Sequence, residues 1–508
     1  MFVRVKQCQH DGQWQIRNRL PLRLYILFFF ILIAYIAFCC LYNMGNQGDI
    51  PFLFYAAIAM GLLLWAVYKA PVRPFVFVSL LMAGSLILKI IFVLSVPTLP
   101  RSDFNLLYQT AQEVAKGDVS TLHDAPYFQN WAYQTGFVAW MAVWMRFFPV
   151  GISFFQIVNC LWQTITGCLI YGMVHKYAPE RAARCACFLY LFYPGHAFLL
   201  PILTNQHIAT CLAFAALYLF FYAKNLPPLR RLAGQILPLC AGCVLALADA
   251  IRPIAIVILL AISAASFVQG FSLWRKHLFK TLLSLALKLS AFVLSFVFVS
   301  FLLSALIQAS TLNPYGLRNN FPQWKFVVGL NQESGGQYSL QDLRIYKIAN
   351  RAERAAAADT LIQERLSVGF PALAALAHQK TVRMWTSYEE SSWVFADIRE
   401  QTFGETSLRL GDLETGLLKW SAGYYALLFI LTAWGLWNAF RRAYVPPLLV
   451  ALLSTGMLYI GVHWAIEIQA RYREFILPAL LALAFMTIPF PADGQKNRRG
   501  VKDPLPAS

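Results

Sequence analysis

The sequence predicts an all-α, polytopic membrane protein. Of the 508 residues 59% are hydrophobic and only 13% are charged, whereas a soluble domain carries roughly 25% charged residues. Apolar runs of about 20 residues recur along the chain, and such runs can cross a bilayer core of about 30 Å. They are continuously apolar rather than alternating, which favours transmembrane helices over barrel strands.

The apolar runs predict a bundle of about 12–13 transmembrane helices. The first run is too long for a signal-peptide core and lacks a small-residue cleavage site, so it is expected to remain as an anchor. The run at 137–148 is short and contains Arg146, so it is expected to lie in the membrane surface or re-enter; otherwise the basic loop at 175–184 breaks the charge rule. The runs lie at 24–41, 52–68, 75–96, 137–148, 152–174, 186–203, 208–223, 236–248, 254–271, 282–307, 420–440, 447–462 and 475–490.

The net charge of +18 is concentrated in short flanks beside the spans. Positive flanks mark the cytoplasmic side of a membrane protein, so we interpret this charge as topology and expect no nucleic-acid partner. The long polar segment 309–418 carries 11 Lys and Arg against 12 Asp and Glu and is nearly neutral, which favours the opposite face.

These patterns divide the chain into five parts. We predict a basic cytoplasmic tail, a transmembrane module with a first external loop at 97–135, a mostly helical extracytoplasmic domain, C-terminal transmembrane helices and a disordered cytoplasmic tail. The parts are 1–23, 24–308, 309–418, 419–490 and 491–508.

Polar clusters on the predicted external face offer a base and several cations. Asp103, just after the third run, can accept a proton, and the cations can hold a phosphate. A carboxylate facing a cationic phosphate site suits group transfer from a phosphate-linked donor. A transporter would instead concentrate its polar groups near the midplane. The candidate cations are Arg252, Arg471, Arg473, Lys325 and Lys380.

Six short motifs follow one another along this face. They are Ser102-Asp103-Phe104 with Tyr108; Tyr127-Phe128 through Trp131 to Gly136; Phe192-Tyr193-Pro194 with Thr204-Asn205-Gln206-His207; Ile251-Arg252-Pro253; Trp324-Lys325 with Gly329-Leu330-Asn331 and Gly335-Gly336; and Glu467 with Arg471-Tyr472-Arg473 and Pro478. In this order they resemble the GT-C superfamily of membrane glycosyltransferases, which use polyprenyl-phosphate-linked sugars, and within it the ArnT-like and protein O-mannosyltransferase-like group.

The resemblance implies a GT-C-like bundle and a specific chemistry. Asp103 would act as the catalytic base, and a hexose or pentose would be transferred with inversion from a polyprenyl-phosphate-linked donor to an envelope glycan or lipid. Arg471 would hold the lipid-linked phosphate. The active site would face outward from the inner (plasma) membrane, among membrane lipids. Further candidate binding residues are Arg473, Arg252, Lys380, Lys325, Tyr108, Tyr127, Trp131, Gln206, His207 and Glu467.

The chain also departs from the family pattern. Gln206 lies where many relatives carry an acid, so no cofactor is expected and a divalent metal, although possible, is not favoured. Phe104 replaces the second acid of protein O-mannosyltransferases, and the Trp-Trp-Asp motif of oligosaccharyltransferases is absent from the sequence. A protein acceptor is therefore not favoured.

Simpler interpretations of these residues stay open. Asp103 can cap a helix that begins near Asn105, Arg252 can pair with Asp249 in a turn, and Glu467 and Arg471 have the spacing of a helical ion pair. The aromatic residues near 127–133 can form an interfacial belt, and His207 can be an ordinary interfacial residue. For the whole chain, the alternatives are a polysaccharide polymerase or ligase and a non-enzymatic lipid-linked saccharide flippase.

Overall fold

The structure is a computed structural model that describes residues 9–10, 13–14, 16–17, 19–96, 98–222, 230–386, 394–395 and 409–489. These residues form helices almost throughout, with four two-residue strands. The predicted tail at 491–508 and part of the basic tail at 1–23 lie outside the described residues.

Eight of the described helices are long and apolar enough to cross a membrane, which confirms the prediction of an all-α polytopic membrane protein. Several begin with proline in the first turn, where a missing N–H costs no hydrogen bond. The eight helices are Leu20–Asn46, Ile50–Lys69, Pro74–Ser95, Ile152–His175, Ala255–Trp274, Phe279–Ala309, Leu410–Arg441 and Pro447–Ala465.

The other predicted runs form shorter or interrupted helices. Helix Thr135–Phe147 has 13 residues, about 20 Å at 1.5 Å per residue, too short for a bilayer core of about 30 Å. The run at 186–203 is broken at Pro194 into Glu180–Leu191 and His196–Leu199. The described residues therefore do not contain 12 unbroken full-length spans.

The remaining apolar helices complete the bundle. They are Gln206–Tyr222, Arg230–Ile251 and the last helix, Leu477–Thr487, which follows a 3-10 segment at Ala470–Ile476. Every residue of Leu477–Thr487 is buried, and so is 67% of the spanning window of Pro447–Ala465, against 6% for Phe279–Ala309. The C-terminal helices therefore form the centre of the bundle, and Phe279–Ala309, which is equally apolar but little buried, lies at the periphery where it can face lipid.

Short strands link distant parts of the chain. Ile16–Arg17 pairs antiparallel with Tyr444–Val445, in the register Ile16 to Val445, and Gln9–His10 pairs with Gln13–Trp14. The amino-terminal residues are thereby tied to the loop between two C-terminal helices.

Two groups of short helices meet at one end of the bundle and position the site. The Tyr133 N–H donates to the Arg318 carbonyl at 3.2 Å, and the Asn320 N–H donates to the Asn130 carbonyl at 2.8 Å. These bonds fix the first loop against the segment that follows Phe279–Ala309. The helices are Ser102–Lys116, Ser120–Asp124, Pro126–Asn130 and the 3-10 turn Ala132–Gln134 in the first group, and Gln323–Gly329, Leu343–Tyr346, Arg351–Leu366 and Phe370–Thr386 in the second.

Candidate functional site

Asp103 lies in the first turn of helix Ser102–Lys116. The helix begins one residue earlier, so Asp103 is not its N-cap, and the interpretation of this residue as a helix cap is wrong. Ser102 has a φ of 50°, a left-handed conformation that is uncommon outside glycine and recurs at functional sites. The backbone is thus bent just before the carboxylate.

The Asp103 carboxylate faces a group of charged side chains. The residue keeps exposed surface, and partial desolvation is the largest cause that raises its pKa, while Arg471 and Lys325 lower it and Glu467 raises it. The net pKa is above the ordinary aspartate value. A base with a raised pKa takes up a proton more readily, so the environment favours the role predicted for Asp103.

Arg471 belongs to the 3-10 segment Ala470–Ile476 and acts electrostatically on the Asp103 carboxylate. Its guanidinium carbon is 4.7 Å from the ring centre of Phe104 and 5.7 Å from that of Tyr472. Gln206 donates from Nε2 to the Arg471 carbonyl at 2.7 Å. Gln206 therefore holds the backbone of Arg471, and the guanidinium remains the group suited by shape and charge to a phosphate.

Lys325 and Glu467 form an ion pair next to Asp103. The Lys325 ammonium donates to Glu467 Oε2, Gln469 Nε2 donates to Oε1 at 2.9 Å, and the Glu467 N–H donates to the Lys325 carbonyl at 2.9 Å. Desolvation raises the pKa of Glu467, but Lys325 outweighs it and the net pKa is lowered. Residues 467–469 are not helical, so the helical pair predicted for Glu467 and Arg471 is wrong.

Arg252 completes the cationic side of the cluster. Its Nη1 donates to Asn205 Oδ1 at 2.9 Å, and its guanidinium carbon is 5.1 Å from the Tyr472 ring centre. Asp249 is not its partner, because the Asp249 carboxylate accepts the Ala255 N–H at 3.0 Å. The structure therefore joins Arg252 to the Arg471 segment through Tyr472.

Lys380 does not belong to this cluster as a free cation. Its side chain is buried, and its ammonium donates to the carbonyls of Gly329 at 2.8 Å, Trp464 at 2.9 Å and Ile466 at 2.8 Å. Three carbonyls use all three ammonium donors. The predicted role in phosphate binding is contradicted, because Lys380 ties Phe370–Thr386 to the end of Pro447–Ala465.

Gly329 is required for this close packing. A Cβ at Gly329 would lie 2.3 Å from the Ile466 carbonyl carbon and 2.4 Å from the Ala465 oxygen. Any larger residue would push these segments apart and displace Glu467.

Arg473 and His207 lie deeper in the bundle. Arg473 is 1% exposed, and its guanidinium carbon is 4.2 Å from the Tyr425 ring centre. His207 is buried, with Nδ1 4.0 Å from Glu474 Oε1. The structure does not bring either side chain to Asp103, because both point towards the bundle interior.

These two residues border a buried polar chain. Glu474 accepts from His196 Nε2 at 2.8 Å, Gln163 Nε2 lies 2.9 Å from His196 Nδ1, and Lys89 donates to Gln163 Oε1. These hydrogen-bonded side chains link helices Pro74–Ser95 and Ile152–His175 to the segment that carries Arg471. Polar groups at such depth are costly unless they are hydrogen-bonded, so this network helps to fix that segment.

Several aromatic side chains lie within electrostatic reach of Asp103 or pack against those that do. Tyr127 lies close enough for Asp103 to raise its pKa, although desolvation is the larger cause, and its hydroxyl accepts from Gln134 Nε2 at 3.0 Å. Trp131 stacks on Tyr346, with ring centres 5.7 Å apart. Tyr108 is half-buried on the same helix as Asp103 and packs against the main core.

Two residues of this end of the molecule were missed by sequence reasoning. Tyr346 lies in a polar, helical segment and has no local signal that separates it from other surface tyrosines. Glu474 did have a signal, since it is an acid at the edge of an apolar run and directly follows Arg473. Among the described residues, no group of three or more His, Cys, Asp and Glu is arranged to hold a metal.

The chain is similar to solved structures of the Archaeoglobus fulgidus oligosaccharyltransferase. The apo form is 16% identical, with a TM-score of 0.41, over 79% of this chain and 50% of that chain. A form tethered to an acceptor peptide containing the NVT sequon is 15% identical, with a TM-score of 0.42, over 80% and 49%. The archaeal enzyme AglB in complex with an inhibitory peptide and a dolichol-phosphate is 14% identical, with a TM-score of 0.38, over 79% and 50%.

The chain spans about half the length of the chains it matches. At these TM-scores the likeness carries no residue role, substrate or activity to this protein. No protein-family model and no curated protein matches the chain.

Proposed function

We propose that this membrane protein is an inverting glycosyltransferase that moves a hexose or pentose from a polyprenyl-phosphate-linked donor to an envelope glycan or lipid. The site would face outward from the cytoplasmic membrane. The observation that carries the proposal is that Arg471 contacts Phe104, the residue after Asp103, with its guanidinium carbon 4.7 Å from the ring centre. Arg471 and Lys325 both act electrostatically on the Asp103 carboxylate.

This arrangement supports a single displacement. The acceptor hydroxyl gives its proton to Asp103 while its oxygen forms a bond to the anomeric carbon of the sugar. The bond from that carbon to the phosphate oxygen breaks, and its electron pair leaves with the phosphate. Arg471 and Lys325 stabilise the negative charge that develops there. Inversion follows because one attack occurs from the face opposite the leaving phosphate.

The same charges favour a reaction without a divalent metal. The second carboxylate near Asp103 is Glu467, and it is engaged by Lys325. Lys325 and Arg471 balance the charges of Asp103 and Glu467, and the same cations can stabilise a phosphate without a metal. We therefore propose that protein cations take the part that a metal would otherwise have.

The test is Asp103→Asn in membranes that contain the full chain and a radiolabelled polyprenyl-phosphate sugar. Removal of a general base lowers rates by roughly 10²- to 10⁴-fold, and we expect a loss in that range. Asp118→Asn is the matched control, since Asp118 is exposed and accepts only a local N–H from Ser120 at 2.9 Å.

The assay also separates the alternatives. A flippase moves its lipid without proton transfer, so Asp103→Asn would leave lipid movement intact. A flippase would also consume no donor, in the wild type or in Asp103→Asn. Wild-type transfer rates in Asp103→Asn would remove the assignment of Asp103 as base.

A further inference from the structure

An aromatic cluster on the Asp103 side of the site is not used by the proposed displacement. Tyr127 meets Trp131 edge to face with ring centres 5.1 Å apart, and Trp131 stacks on Tyr346 at an angle of 10°. Trp324 lies beneath them, 6.4 Å from Trp131 and 5.8 Å from Tyr346. Trp324 is buried, whereas the other three retain exposed surface.

Hydrogen-bonding groups border these rings. Gln134 donates to the Tyr127 hydroxyl at 3.0 Å, and Arg354 Nη2 donates to Asn130 Oδ1 at 2.7 Å. The Trp131 Nε1 and Gln134 Oε1 atoms are shielded from solvent and have no hydrogen-bond partner among the described residues. Such atoms are rare in folded proteins and call for a partner that has not yet been identified.

The cluster borders Asp103 and Lys325, because Trp324 directly precedes Lys325 and both charged groups act electrostatically on Tyr127. Asp103 acts electrostatically on both Tyr127 and Tyr346, while Arg471 contacts Phe104. A reacting hydroxyl must reach Asp103 while the donor phosphate lies at Arg471. A ligand held by these rings would bring a hydroxyl towards Asp103.

A ligand for this surface needs an apolar face and a polar edge. A pyranose ring has both, because its axial C–H groups form an apolar face and its hydroxyls radiate from the rim. Specific pockets combine aromatic walls with a few placed polar groups, and aromatic rings give large contact areas with a polar handle. An acyl chain would leave the polar atoms of Trp131 and Gln134 unpaired, which carries a penalty.

We propose that Tyr127, Trp131 and Tyr346 form an acceptor subsite for a pyranose ring, so that the acceptor is a glycan. Tyr346 supplies the stacking face contributed by the external segment, and Gln134 and Trp131 bond the hydroxyls at its rim. The inference rests on the proposed function for the direction of approach, but binding of the sugar does not require transfer.

The experiment is saturation-transfer NMR on the purified full chain in detergent. The probes are methyl α-mannoside, cellobiose and N,N′-diacetylchitobiose, without any donor. Wild type should transfer saturation to the C–H protons of one ring face of at least one probe. Tyr346→Leu, which keeps bulk but removes the aromatic face, should weaken binding roughly tenfold, as expected for the loss of one aromatic contact.

Three variants make the result specific. Tyr346→Trp should retain binding, and Tyr338→Leu should leave it unchanged, because Tyr338 is an exposed tyrosine of the same segment with 56% exposure. Asp118→Asn should bind the probes as wild type does, because Asp118 is exposed and is not part of the ring cluster. Thermal unfolding of Tyr346→Leu checks that a loss of binding is not a loss of fold.

The outcomes distinguish the two proposals. Absence of saturation in all three probes, or equal saturation in wild type and Tyr346→Leu, overturns the glycan subsite even if the donor is consumed. Binding that depends on Tyr346 supports the subsite, and if the donor is never consumed the transferase proposal fails separately.

Discussion

Breaking the ion pair between Lys325 and Glu467 is expected to lower the free energy of unfolding by different amounts, depending on which partner is replaced. In Lys325→Met the Glu467 carboxylate stays behind without its cation. In Glu467→Gln the side chain keeps its shape and its oxygen can still accept from Gln469 Nε2. The Lys325 ammonium is then left without its carboxylate. The side chains are 35% and 8% exposed for Lys325 and Glu467, respectively, so water can solvate the lysine but not the glutamate.

The magnitudes follow from this difference. Loss of one partner of a fully buried pair costs about 3–5 kcal/mol, and Lys325→Met should lower the unfolding free energy by about 3 kcal/mol because Glu467 is nearly buried. Glu467→Gln should cost only about 1 kcal/mol, close to the value for exposed pairs. The double variant should be more stable than Lys325→Met, since it leaves no buried charge.

The stability measurement is equilibrium or thermal unfolding of the full chain in one detergent at pH 7. Lys347→Met is the matched control, because Lys347 is an exposed lysine directly after helix Leu343–Tyr346. A second measurement is the pH dependence of transfer. Glu467 raises the pKa of Asp103, so Glu467→Gln should move the acid limb to lower pH, where Asp103 would still be ionised.

Two results would refute this reasoning. One is a Glu467→Gln variant at least as destabilised as Lys325→Met. The other is a double variant no more stable than Lys325→Met. Either result would mean that the cost of the pair does not depend on which charge is left in the low-dielectric surroundings.

Three further predictions concern the same site. Because Arg471 lowers the pKa of Asp103, Arg471→Gln should shift the acid limb of the transfer rate to higher pH; an unchanged pH profile would contradict their proximity. Lys380→Met should lower the unfolding free energy by about 2–4 kcal/mol, since three buried carbonyls lose their donor, and should leave the KM for the donor unchanged; a raised KM would restore Lys380 as a ligand. Treatment with EDTA should not change the initial rate, whereas a loss reversed by Mg²⁺ or Mn²⁺ would show that a metal is needed.

Hydropathy alone determined the class of this protein. Long apolar runs specify helices in a bilayer because backbone groups there must be satisfied within the segment. The same argument does not locate the breaks within these runs. Pro194 interrupts the run at 186–203, and the 3-10 segment Ala470–Ile476 precedes the last helix. The mean hydropathy of a sequence window does not detect either break.

The sequence also grouped Asp103 with Lys325, Glu467, Arg471 and Arg252, and the structure brings these residues together. Their shared position follows from topology, since residues at the same ends of spans are restricted to one face of the membrane. Their roles stay a proposal.

Only the tertiary structure decided which cations remain near Asp103. Arg471 and Arg473 are two residues apart on a 3-10 segment, and with about three residues per turn they point about 120° apart. One side chain therefore meets Phe104 and the other meets Tyr425. Lys380 looks like any basic residue in the sequence, but three backbone carbonyls from distant segments surround it after folding. Charge is a property of the residue, whereas the availability of that charge depends on partners that only the packed chain supplies.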